Sequence, residues 1–354
     1  MIAIVIPCYK AQKTVGELLT SIRLQREVEY HIYLSIDDDS DYSSFEADDV
    51  TIIPFTKNEG PGVARNKGLD VITEPFVTFI DADDVLYEPY SLYKLLEPFS
   101  NHKCIETLGI FLSPHKINNT IRFVPRGGSK DAWHPWCFGR VYRTAFLKET
   151  GIKFLDIRSM EDSYMVQCTK MLIEGSDLCI SAIDEPVYIW SEGSEHSITR
   201  TKAAGNDIPT YNFGTCQIGA AIAYKSAIEF VEKKNPYNPN IKRTAVEMMV
   251  SHFFTEEEAL EQYPEFFDLN REISKWWYLN VYKKYEVSYD ILEKTFLAQF
   301  KTRQMDKFPH LTFEQWWNEI KETKNADIDA VFHKLPEGIL ESYKNSSVYE
   351  SFKV

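Results

Sequence analysis

Carboxylates gather in three short runs of this sequence: Asp37-Asp38-Asp39, then Asp81, Asp83 and Asp84 in FIDADD, then Glu161-Asp162. Three carboxylates as close as those of FIDADD repel one another unless solvent or a cation comes between them. Oxygen ligands at that spacing suit Mg²⁺ or Mn²⁺, with phosphate oxygens completing the shell. A metal and nucleotide-diphosphate site is one expectation. A solvated acidic turn after an ordinary strand is the other, and the run alone leaves both open. Glu161 and Asp162 open an amphipathic run through Leu172, where the helix macrodipole by itself favours acidic residues.

The elements that must position these groups are legible around them. Residues 76–80, FVTFI, favour a covered strand. The acidic run follows at its carboxyl end, the edge where open parallel sheets hold ligands. Residues 3–6 read as a first strand ended by Pro7, residues 30–36 as a second running into Asp37, and residues 50–55 as a third. Thr14 and Glu17 are spaced as a capping box for a helix to about residue 25. In NEGPGVARNKG, Gly60, Pro61 and Gly62 predict a tight turn, and residues 63–71 a short helix. Its N-terminus beside Arg65 and Lys67 would suit phosphate. The stretch is neither a GxGxxG nor a GxxxxGK[ST] pattern. Strand–helix alternation with short links implies a mostly parallel α/β sheet covered by helices.

A length of 354 residues predicts two domains, or one large domain with an appendage. The net charge of −14 argues against non-specific adhesion to nucleic acid or anionic lipid, while leaving room for a local basic patch. Six cysteines lie far apart without a CxxC pair, which favours reduced thiols over a zinc site. MIAIVIPCYK reads as a strand, and no apolar stretch nears the roughly 20 residues that span a bilayer. A soluble, cytoplasmic protein is expected.

The order PCYK, SIDDDSD, NEGPGVARNKG and FIDADD resembles glycosyltransferase family 2 over about residues 1–200. The resemblance implies the GT-A fold, a Rossmann-like nucleotide-binding sheet, over residues 1–202. It implies Pro7 and Tyr9 in the base and ribose pocket. Asp38 would accept a hydrogen bond from the base, Asp37 would support the turn, and Arg65 would sit near the nucleotide. Asp83 would bind the divalent cation, and Asp81 the ribose or a metal-bound water. Asp39 stands where the family often has Gly, which bears on turn geometry and base preference. Glu161-Asp162 resembles the family's E-D motif, with Asp162 as general base. His196 would be a metal ligand, with Arg200 and Lys202 as diphosphate contacts; their loop reads equally as a solvated one. The activity implied is inverting transfer of a sugar from a nucleotide-diphosphate sugar, a UDP-sugar favoured, to an acceptor hydroxyl, with a glycan as the favoured acceptor.

Residues 105–112 and 120–124 read as two strands with a turn at Asn118-Asn119. Residues 126–130 read as a mobile basic loop, and residues 186–190 as a further strand. Trp133, His134 and Trp136 could stack on an acceptor sugar, or the tryptophans could serve the core.

From about residue 203 the texture turns helical. Helices are expected over 217–233, 241–254, 265–285, 289–301 and 313–324, with Pro236, Pro239, Pro264 and Pro309 as stops between them. Residues 203–354 thus predict an all-helical C-terminal domain for acceptor binding or oligomerisation. In KWWYLNVYKKYEVSY, aromatics interleave with lysines. That pattern suits a nucleic acid or glycan, and equally the core face of a helix. It keeps open a transferase acting on modified bases of phage DNA. A nucleotidyltransferase would carry a G-x-G-T-R-like loop where Cys8, Tyr9, Lys10 and Ala11 stand. A non-catalytic nucleotide-sugar-binding protein would be expected to lose the acidic motifs.

Overall fold

The computed structural model describes residues 1–54, 57–117, 120–131, 134–157, 159–191, 208–262, 264–303, 305, 307–308 and 310–327. The chain divides into two compact units, Met1–Asp156 with Glu161–Ile198, and Ile157–Met160 with Thr199–Val354.

The first unit runs β1 (Ile2–Cys8), α1 (Val15–Arg23), β2 (Tyr30–Ile36), β3 (Val50–Ile53), α2 (Pro61–Val71), β4 (Phe76–Phe79), β5 (Val85–Leu86), α3 (Ser91–Leu96), β6 (Cys104–Ile117), β7 (Thr120–Gly127), β8 (Arg140–Arg143), α4 (Thr144–Thr150), α5 (Glu161–Ile173) and β9 (Cys179–Ile189). Among the described residues nine strands form one sheet, in the order β3-β2-β1-β4-β8-β6-β9-β5, with β7 paired to β6. The strands β3, β2, β1 and β4 are parallel, β8 runs antiparallel to β4 and β6, and β6 and β9 are parallel. The sheet is therefore mixed and mostly parallel, with helices flanking it. Most residues of β1 are fully buried, which is why IAIVI is an uninterrupted apolar run.

Helix α1 turns Val15, Leu18, Leu19 and Ile22 inward. Thr14 does not form the expected capping box. Its backbone already lies in the helical region, and its hydroxyl donates back to the Ala11 carbonyl at 3.2 Å. Helix α2 starts at Pro61, whose missing N–H is harmless at a first helical position. Gly60 before it has φ +88°, which suits glycine. Gly68 lets α2 lie directly on β1; a Cβ there would stand 2.4 Å from Val5 Cγ1. Residues 126–130 are not a free loop. Arg126 and Gly127 end β7, and Asp184 accepts from Ser129 N and Oγ at 2.7 Å each.

The second unit contains α6 (Ile208–Lys234), α7 (Pro239–Gln262), α8 (Phe267–Trp277), α9 (Tyr289–Thr302) and α10 (Phe313–Lys321). Pro239 begins a helix where the sequence suggested a stop. The single helix expected over 265–285 is instead a short 3-10 turn (Pro264–Phe266), α8, and a π turn (Tyr278–Tyr282). Trp276, Trp277, Val281 and Tyr282 of the lysine–aromatic stretch are buried, so its aromatics are a core face. Glu256 is fully buried and accepts from Arg271 Nε and Ser274 Oγ at 2.5 Å and from Trp316 Nε1 at 2.9 Å. No helix among the described residues is long and apolar enough to cross a membrane. Cys8, Cys104, Cys137 and Cys168 are buried free thiols.

Candidate active site

The acidic runs lie at the carboxyl ends of β2 and β4 and at the start of α5. Asp37, at the end of β2, is buried and accepts from Glu59 N at 2.9 Å and Gly60 N at 2.8 Å. It therefore anchors the loop that leads into α2 at its N-cap, Gly60. Burial raises its pKa, against the two amides and Lys67, which hold it down. Asp38 faces the end of β1. It accepts from Lys10 N, from Ser40 N at 2.8 Å and from Tyr42 Oη at 3.4 Å. Lys10 reaches it because its backbone adopts φ +51°. Pro7 is half-buried in β1, and Tyr9 beyond it is 42% exposed, with Lys10 Nζ 5.2 Å over its ring. Asp39 is exposed.

Helix α2 carries Arg65 inward. Its guanidinium donates from Nη2 to Asp81 Oδ1 and from Nη1 to Glu161 Oε1, both at 2.6 Å. Arg65 and Glu161 are buried, while the Asp81 side chain is 31% exposed. Asp37 is thus linked through the α2 backbone and Arg65 to both of the other acidic runs.

Asp162, next to Glu161, is 9% exposed. Its Oδ1 accepts from Ser163 N at 2.8 Å and its Oδ2 from Cys137 N at 3.3 Å. Burial first, then the Glu161 and Asp81 charges, push its carboxyl up to about 7; Arg65 and the Cys137 amide pull the other way. A carboxyl poised there can take or hold a proton near neutral pH.

Asp84 is the residue in this region that the sequence left without a role. It is buried, and accepts from Tyr188 Oη at 2.5 Å and from Ser191 N at 2.6 Å; Tyr188 Oη also accepts from Asp81 N at 3.3 Å. The acidic turn is thereby tied to the end of β9. Burial, then the Asp81 and Asp83 charges, raise the Asp84 pKa. No periodic signal marks it, because it lies in a turn and not in a strand. In the turn after β4, closed by Asp84 N donating to the Asp81 carbonyl at 3.0 Å, Ala82 and Asp84 are buried while Asp81 and Asp83 are half-buried.

Trp136 is partly buried in an aromatic cluster with Phe111, His134 and Phe138, the last stacked at 6.0 Å. His134 is itself 3% exposed, and burial first and then Arg140 lower its pKa to about 2. Trp133, His196, Arg200 and Lys202 lie outside the described residues.

Mg²⁺ and Mn²⁺ require hard oxygen donors, and Asp81 and Asp83 offer them half-buried on the turn after β4. Among the described residues no group of three His, Cys, Asp or Glu side chains could close around an ion. Such a donor set fits a cation that completes its shell with phosphate and water.

The domain that carries these groups is α/β, a mixed, mostly parallel sheet flanked by helices, with acidic runs at the carboxyl ends of β2 and β4. Residues 3–152 match the Glycosyl transferase family 2 profile. Two relatives are similar over shorter stretches. A teichoic acid poly(glycerol phosphate) polymerase of Staphylococcus epidermidis is 29% identical over 108 residues, 28% of this chain. An uncharacterized glycosyltransferase of Rickettsia felis is 32% identical over 92 residues, 25% of this chain. The match spans 15% of each relative's length. Among solved structures, S. aureus TarS in complex with UDP-GlcNAc aligns with TM-score 0.49 and 16% identity, covering 88% of this chain and 94% of that one. The mannosyltransferase PcManGT from Pyrobaculum calidifontis, in complex with GDP-Man and Mn²⁺, aligns with TM-score 0.47 and 12% identity, covering 92% and 88%.

Proposed function

We propose that the chain is an inverting glycosyltransferase that moves a sugar from a nucleotide-diphosphate sugar, a UDP-sugar favoured, to a hydroxyl of a glycan acceptor. One observation supports this above others: Arg65 pairs with both Asp81 and Glu161, beside a buried carboxyl at Asp162 whose pKa is pushed up to about 7. The nucleotide lies along the carboxyl edge, with the base and ribose near Pro7, Tyr9 and Asp38 and the ribose also within reach of Asp81. Asp162 accepts the proton of the acceptor hydroxyl as that oxygen attacks the anomeric carbon. The bond from the anomeric carbon to the diphosphate oxygen breaks on the opposite face, the nucleoside diphosphate leaves, and configuration inverts. A positioned general base of this kind contributes about 10²–10⁴-fold. A divalent cation held by Asp83, with His196 as a further ligand, supplies charge neutralisation to the diphosphate when bound. Arg200 and Lys202 contact the diphosphate, Trp133 and Trp136 meet the acceptor sugar, and residues 203–354 bind the acceptor or a second copy.

The test is release of nucleoside diphosphate from a panel of UDP- and GDP-sugars, with Mn²⁺ and candidate glycans. Wild type should release it from at least one donor. Asp162→Asn should bind that donor and release nothing above background. Failure of wild type to bind any nucleotide sugar overturns the proposal.

A further inference from the structure

We infer that Arg140 is a positioning residue for Asp162, acting through the loop that precedes β8. The inference rests on the general-base role proposed for Asp162.

Arg140 is fully buried at the first position of β8. Its Nη1 donates to Glu106 of β6, itself fully buried. Its Nη2 donates to the His134 carbonyl and its Nε to the Trp136 carbonyl, both at 2.9 Å. A planar guanidinium fixes two carbonyls at once in a way that a lysine ammonium does not. The residue after Trp136 is Cys137, whose N–H donates to Asp162 Oδ2. Arg140 therefore sets where that amide points. The other Asp162 oxygen is held within its own helix, by Ser163 N. Of the two amide contacts, the one that crosses between elements depends on the fork.

The consequence is electrostatic. An amide donating to a carboxylate favours its charged form. The other groups acting on Asp162 are Glu161 on its own helix, Arg65 on α2, Asp81 after β4 and the Cys137 thiol; Tyr142 of β8 also senses its charge. Glu161, Arg65 and Asp81 make no contact with the fork; the Cys137 thiol and the Tyr142 hydroxyl lie beside it, but burial raises both pKa values, so neither brings a charge to Asp162 when the fork loosens. Asp162 should then hold its proton to higher pH, and the base should be lost on the acidic side alone.

Arg140→Lys keeps the charge opposite Glu106 and loses the fork. The acidic limb of kcat against pH should move up by about 0.5–1 unit. Turnover at pH 6.5 should fall about 3–10-fold while turnover at pH 9 stays within about twofold of wild type, with donor KM unchanged. Should Arg140→Lys fail to fold, the apolar pair Glu106→Met with Arg140→Met carries the same test, since buried ion pairs often tolerate such replacement. An unshifted limb, or an equal loss at both pH values, overturns the inference. Asp162→Asn run alongside separates the two ideas. If it retains transfer, the base role fails. If it is inactive while the limb of the fork variant is unmoved, only the positioning role fails.

Discussion

Arg65 Nη1 donates to Glu161 Oε1 at 2.6 Å, joining α2 to the start of α5 across 96 positions of sequence. Both side chains are buried, and removing one partner of a buried pair costs about 3–5 kcal/mol. Arg65→Met should lower unfolding free energy by about that much in urea titrations, because Glu161 is left charged and unpaired. Arg65→Lys should unfold nearer to wild type yet lose at least about tenfold in kcat/KM, since an ammonium does not reproduce a two-headed contact with Asp81 and Glu161.

Asp162→Asn should stabilise the protein as it removes transfer. With the folded pKa about 7 against an ordinary 3.8, the folded state favours the protonated form. Asp162 therefore costs nothing below about pH 4, and an increasing amount as pH rises to 7, reaching a few kcal/mol. Chemical denaturation should show the variant more stable than wild type at pH 8 and equal to it near pH 4. The wild-type rate should rise with pH through about 7.

Asp83→Ala should lose metal-dependent donor binding. Titration calorimetry with a nucleotide sugar should give wild type a clear gain on adding Mn²⁺ and the variant almost none. Equal gains would remove Asp83 from the proposed metal shell.

Gly62→Ala should be destabilising and inactivating together. An added Cβ would stand 2.2 Å from the Leu155 carbonyl oxygen and 3.1 Å from Glu161 Cγ. The start of α2 must then move away from Glu161, and Arg65 with it. A drop of several degrees in Tm and a loss of at least about tenfold in kcat/KM are expected.

His252 predicts acid sensitivity in the helical unit. It is fully buried with its ring edge toward Trp277, and desolvation holds its pKa at about 3. The folded value lies below the ordinary 6.5, so its neutral form is favoured by folding. That stability is complete above about pH 6.5 and declines as pH falls, by roughly 2 kcal/mol at pH 5. His252→Phe should flatten this fall in urea titrations run at pH 5 and 7.5.

What the sequence by itself determined is local. Strand β1 was legible because burial on both faces demands an unbroken apolar run, and α2 because Gly60-Pro61 admits one kind of entry into a helix. The carboxylate runs at the ends of β2 and β4 could be read against the general placement of sites in parallel sheets. Spacing was not sufficient even for short-range contacts. Thr14 and Glu17 have the capping-box interval and do not form one, whereas Thr312 and Gln315 do. The difference is the backbone conformation at the cap, extended at Thr312 and helical at Thr14.

Only the tertiary structure decided that Arg65 would pair with Asp81 and Glu161, that Asp84 would turn inward to Tyr188, and that Arg140 would hold the loop carrying the Cys137 amide. Each of these joins groups far apart in the chain, and a buried charge takes whatever partner the packed strands bring within reach. Periodicity records which face of an element is buried. It carries no record of which distant side chain that face will meet.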